Sequence, residues 1–156
     1  MEFITGVLGN RIIMTGGITW CVAQVIKMIV YMIENKEFNP ERLVGDGGMP
    51  SCHSATVCSV AVAAAITEGA SSPVFGLSVI LAIVVMHDAM GVRRESGKQA
   101  EILNLFMDLV RPLSPDEVPD ERLKEFIGHT PIQVAVGAIL GIASSLILNL
   151  LIWKMV

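Results

Sequence analysis

Charge is scarce in this chain: 17% of its 156 residues are Asp, Glu, Lys or Arg, where a soluble domain carries about a quarter. That shortage, with 53% hydrophobic residues and a mean hydropathy of +0.63, excludes a water-soluble globule and a disordered chain alike. A basic excess is also missing. The net charge of -4 and the pI near 5.3 leave no field that would hold nucleic acid. Cysteine is limited to Cys21, Cys52 and Cys58, an odd number without a CxxC pair, so neither a disulfide framework nor a zinc ribbon is expected. No HExxH or HxxxH string occurs, which leaves His53, His87, His129 and Asp88 a poor zinc set, and no metal or other cofactor is predicted. The first ten residues have an acid at position two and no basic stretch, so no cleaved signal peptide is expected.

What the chain has instead is long apolar runs. A bilayer core of about 30 Å takes roughly 20 apolar residues as a helix, because every backbone polar group must be satisfied within the segment. Four runs approach that length, at about residues 12–33, 53–67, 72–90 and 131–153. The last opens on Pro131 and closes on Trp153, which suits a helix start and a far interface. The second and third are short, and a single re-entrant hairpin over 53–90 is the alternative to two spans. Between the third and fourth runs lie forty polar-rich residues, 91–130. Within them Ile102, Leu103, Phe106, Leu109 and Val110 recur at helical spacing, predicting an amphipathic helix over about 95–110 that lies on the membrane or docks on the bundle. Arg111-Pro112 stops it, and a short charged helix is expected from Asp120 to Phe126. The expected fold is therefore all-α, a single membrane domain built as a bundle of about four spans plus one interfacial helix.

With four spans the loops at 34–52 and 91–130 share one side. They hold Lys36, Arg42, Arg93, Arg94, Lys98, Arg111, Arg122 and Lys124, against Arg11 and Lys154 opposite, which places these loops in the cytoplasm. The unusual polar residues converge on that same side. Lys27 sits about two turns from the loop end of the first span and could simply snorkel. Gly47-Gly48-Met49-Pro50-Ser51-Cys52-His53 opens the second span, putting glycines and a hydroxyl at a helix N-terminus that can hold an anion or merely form a capped turn. The third span ends in Asp88, followed by Arg93, Arg94 and Lys98; paired arginines hold phosphate bidentately, with the acid orienting one guanidinium, or mark topology. His129 opens the fourth span with Gln133 four residues on, on the same helical face. Two histidines among several cations fit phosphoryl transfer through a phosphohistidine: one imidazole attacks phosphorus, and the other protonates the leaving oxygen.

The strings Pro50-Ser51-Cys52-His53 and His129-Thr130-Pro131-Ile132-Gln133-Val134, with Gly47-Gly48-Met49-Pro50-Ser51 and Asp88-Ala89-Met90-Gly91-Val92-Arg93-Arg94, resemble the type-2 phosphatidic acid phosphatase superfamily. The likeness is greatest to its divergent membrane branch and covers about residues 12 to 145. The resemblance implies a bacterial plasma-membrane phosphohydrolase that needs no metal and acts on a lipid phosphate or isoprenoid diphosphate. On it, His129 is the nucleophile, His53 the general acid, Arg93 or Arg94 an essential arginine and Lys27 an essential lysine. The partners it implies are that substrate and the membrane lipids, with a homo-oligomer left open. Three departures stand out. No Arg-Pro follows Lys27 at the superfamily's distance, a place Arg42 could fill; about 35 residues part Arg94 from His129 where the superfamily has a short spacer; and Gln133 stands where an Asp is usual, a role Asp88 could take over. The alternative function is a non-catalytic binder or transporter of anionic lipid. A membrane scaffold is the third reading, with Gly137, Ala138, Gly141 and Ala143 packing helices closely.

Overall fold

The computed structural model describes residues 1–38, 48–113, 119–123, 125 and 128–153, and among them every regular element is a helix. Helix α1 (Glu2–Gly9), which the apolar pattern did not announce, precedes α2 (Arg11–Asn35). Asn10 divides them because its Oδ1 accepts the N–H groups of Ile12 and Ile13 at 3.0 and 3.1 Å, capping α2. Ser51 caps α3 (Cys52–Glu68), and Gly69, at a φ of 90°, ends it. Ser72 caps α4 (Pro73–Met90) with Pro73 in its first turn, where the missing N–H costs nothing. After the single residue Gly91 the chain enters α5 (Val92–Val110). Thr130 and Gln133 form a reciprocal capping box at the start of α6 (Pro131–Leu146), which continues into a π-helical stretch, Ile147–Ile152.

Three stretches are long and apolar enough to cross a membrane: Arg11–Asn35, Pro73–Val110, which contains both α4 and α5, and Pro131–Ile152. At 17 residues α3 is shorter, about 25 Å at 1.5 Å per residue. It nevertheless runs from one end of the bundle to the other. The Ser51 N–H at its start donates to the Gln133 carbonyl at 3.2 Å, while Thr67 and Glu68 at its finish border the same cleft as Asn10 and Arg11.

α3 is the hub, packed against α2, α4 and α6. Small residues permit this. A Cβ on Gly137 would collide with the Ser51 carbonyl oxygen, and one on Gly141 with that of Ala55, so α6 lies directly on the α3 backbone. Within lipid, close approach of this kind takes the place of hydrophobic drive between helices. The arrangement of side chains is correspondingly inverted. Ile29, Ile33, Leu77, Ile80, Leu81, Ile139 and Leu146 face outward, while Thr15, Thr19, Gln24, Lys27, Ser54, Ser59, Ser145 and Asn149 are buried. Asn149 ties α6 to α2, its Nδ2 donating to the Ser145 carbonyl at 2.9 Å and to Thr15 Oγ1 at 3.2 Å. The protein is an all-α membrane protein.

One expected element is absent. The described residues from Asp120 to Glu125 are not helical. A segment of seven residues is too short to offset helix nucleation alone, and here a side chain takes its backbone bonds: Asn104 of α5 accepts the Leu123 N–H and donates to the Leu123 carbonyl, both at 2.9 Å.

Candidate active site

The loop-side ends of α2, α3, α4 and α6 meet at one end of the bundle, and two backbone bonds fasten them. One is Ser51 N–H to the Gln133 carbonyl; the other is His129 N–H to the Ala89 carbonyl at 3.0 Å. Gly128 makes the second possible. Its φ of 105° favours glycine, and a Cβ there would lie 2.7 Å from the Arg93 carbonyl carbon and closer still to Arg94 N. The residue before His129 is thus pressed against the first turn of α5.

Between these ends lies a cavity of about 230 Å³ lined by His53, Val84, Val85, Asp88, Ala89, Arg93, Gly128 and His129. His53 enters from the first turn of α3, and Asp88 from the last turn of α4. Arg93 Nε donates to Asp88 Oδ2 at 2.7 Å, which fixes the plane of the guanidinium at the cavity wall. Both side chains remain about two-fifths exposed, so the pair is wet rather than sealed.

His129 is almost completely buried, at 4% exposure. Its Nδ1 lies 3.3 Å from Gln133 Oε1, which also accepts the Thr130 N–H at 3.0 Å. Because a backbone N–H can only donate, the Gln133 atom shared by both contacts is its oxygen, and the imidazole must donate from Nδ1. In the neutral ring the lone pair then resides on Nε2. The capping box of α6 therefore also orients the His129 ring, through a neutral amide.

The other sequence-predicted residues divide. Lys27 is buried at 4% exposure and does not snorkel out to solvent; Gly48, at a φ of 85°, lies across its stem, with a Cβ position 3.4 Å from Lys27 Cγ. Ser51 is committed to capping, its Oγ accepting the Ser54 N–H at 3.3 Å and the Ser54 hydroxyl at 3.0 Å. Arg94 is exposed and contributes its backbone to the Gly128 contact. Lys98 pairs with Glu95 at 2.7 Å on the exposed side of α5. Arg42 and Gly47 lie outside the described residues. Among the described residues, no three His, Cys, Asp or Glu side chains cluster as a metal site would require. Sequence reasoning missed Val84 and Val85, which stand three and four residues before Asp88 and share its helical face.

No solved structure matches the chain. An uncharacterized membrane protein, YuiD, of Bacillus subtilis (strain 168) is 37% identical over 135 residues, covering 81% of this chain and 85% of its own length. Residues 8–144 match the model of the divergent PAP2 family, a range that takes in every helix end lining the cavity. On the strength of that match and the order of its motifs, the chain belongs to the divergent PAP2 family.

Proposed function

We propose that the protein is a membrane phosphohydrolase that cleaves a lipid phosphate or isoprenoid diphosphate through a phosphohistidine. The observation that carries this reading is the single cavity shared by His53, Asp88, Arg93 and His129. His129 Nε2 attacks phosphorus, forming an N–P bond as the P–O bond to the leaving group breaks, and His53 gives that oxygen its proton. Arg93, held by Asp88, offsets the charge on the equatorial oxygens, with Lys27 contributing from α2. Water then attacks the phosphohistidine, His53 takes its proton, and inorganic phosphate leaves with His129 restored. Val84 supports a lipid substrate in particular: it is exposed on the apolar helix α4 and also lines the cavity. The count of loop cations supports a site that faces the cytoplasm.

A second reading, a non-catalytic binder of anionic lipid, is favoured by Gln133. Its amide orients His129 but supplies no charge to an imidazolium formed during turnover. Phosphate release by the purified protein, measured with a panel of lipid phosphates and isoprenoid diphosphates with and without chelator, separates the two. The phosphohydrolase reading expects release that survives chelation and an acid-labile phosphoprotein, both lost in His129→Ala by about a thousandfold or more. Release retained in His129→Ala removes the nucleophile assignment. Saturable binding with no release establishes the binder.

A further inference from the structure

α5 has two unlike sides. Gly97, Ala100 and Asn104, at helical spacing, form its buried side. Ile102, Leu105, Phe106 and Leu109 point the other way, and each is at least three-fifths exposed. The buried side holds the segment leading to His129. Asn104, at 2% exposure, makes three hydrogen bonds there: Nδ2 to the Leu123 carbonyl at 2.9 Å, Nδ2 to Glu125 Oε1 at 2.7 Å, and Oδ1 from the Leu123 N–H at 2.9 Å. Arg122 Nη2 donates to Asp108 Oδ2 at 2.6 Å, and Arg111 Nη2 to the Pro119 carbonyl at 2.8 Å. Three residues beyond Glu125 come Gly128, against the start of the same helix, and His129.

The exposed side has one natural occupant. α5 follows after one residue on α4, which lies in a stretch long and apolar enough to cross a membrane, and its large apolar side chains are as exposed as the outward-facing ones of α4. The charged residues Arg94, Glu95, Lys98 and Glu101 lie in its first half and the large apolar ones in its second, as in a helix whose far half dips among headgroups. A contiguous apolar face of this kind does not stay in water.

We propose that α5 is seated in the bilayer interface by Ile102, Leu105, Phe106 and Leu109 and, through Asn104 on its opposite side, positions the segment that presents His129. The occupant is lipid, and Asn104 is a positioning residue that touches no substrate. The consequence for catalysis rests on the phosphohydrolase reading; the seating and the fastening do not.

The test uses the full chain in phosphatidylcholine vesicles. In a Trp20→Phe, Trp153→Phe background, the Phe106→Trp indole should lose at least about half its emission when the acyl chains are brominated, while Lys98→Trp should not. Unquenched emission at 106, or its shielding by a second copy shown by crosslinking at that position, overturns the lipid seat. Hydrogen exchange over residues 119–130 should quicken about tenfold in Asn104→Leu, which keeps the side-chain size but loses all three bonds, and stay unchanged in Glu125→Gln, which keeps its acceptor. Unchanged exchange in Asn104→Leu overturns the fastening. With turnover present, Asn104→Leu should lower kcat about tenfold with little effect on KM. If the wild type releases no phosphate, the phosphohydrolase reading fails while quenching and exchange still decide this one.

Discussion

The α3–α6 seam and the α4–α5 limb are held by opposite means. Along the seam, glycine lets two backbones touch: Gly137 on Ser51 and Gly141 on Ala55, with no space for a methyl group. Along the limb, Gly76 of α4 has nothing within 4 Å of where a Cβ would lie, and α5 is fastened by polar bonds from Asn104, Asp108 and Arg111. The seam supplies one half of the cavity, with His53 on α3 and His129 just before α6. The limb brings Asp88 and Arg93 to it. His53 and His129 are thus placed by close backbone packing, and Asp88 and Arg93 reach the same cavity from the limb, where Ala89 and Arg94 meet residues 128 and 129.

The sharpest way to break this contrast is to add one methyl group on each side of it. Gly141→Ala should destabilise the protein by about 2 kcal/mol or more, since the obstacle is backbone rather than a flexible side chain. Gly76→Ala should be neutral or stabilising by up to about 1 kcal/mol, because alanine is the better helix former and meets no neighbour. Thermal unfolding of the two variants in one detergent checks both; equal losses would dissolve the distinction. A smaller effect is expected where the limb meets the site. Arg93→Lys keeps the charge but loses the fork that Asp88 holds, and should weaken vanadate binding about tenfold, whereas Arg94→Lys, whose side chain is outside the cavity, should leave it unchanged. A titration of both variants against wild type decides which arginine the site uses. The smallest effect is expected on the seam side. Gln133→Asp puts a carboxylate beside Nδ1 and should raise phosphate release by about a few-fold while shifting the pH profile of the rate upward. An identical rate and profile in a folded variant would separate position 133 from the nucleophile.

Much of this was legible in the sequence, for local reasons. Apolar runs bounded by Ser51, Ser72-Pro73 and Thr130-Pro131 mark helix starts because the caps act within one turn. The pairing of His129 with Gln133 was expected from a shared helical face, but His129 lies before the cap of α6 and meets Gln133 because the capping box turns that side chain back. Failures came where distant partners decide. The stretch from Asp120 looked helical by its charges, yet Asn104, nineteen residues before Leu123, takes the bonds a helix would have used. Lys27 looked able to snorkel, but the turn at Gly48 closes over its stem. Arg93 and Arg94 were indistinguishable as neighbours; only the position of Asp88 and Gly128 in space tells which side chain enters the cavity and which lends its backbone.

The contact of Gly128 with Arg93 and Arg94 has a consequence for how motif spacing is read. The chain leaves the site at residue 94 and is back at the same point at residue 128, so the two feet of the interval between them touch. A loop with adjoining feet imposes no length on the place it springs from, and lengthening it costs only the logarithm of its size. The long interval between arginine and histidine is therefore no obstacle to their lining one cavity. Distance counted along the chain is not a ruler for such a site: two halves of one motif can drift apart in sequence without moving in space, as a story keeps its last line beside its first when the page is folded.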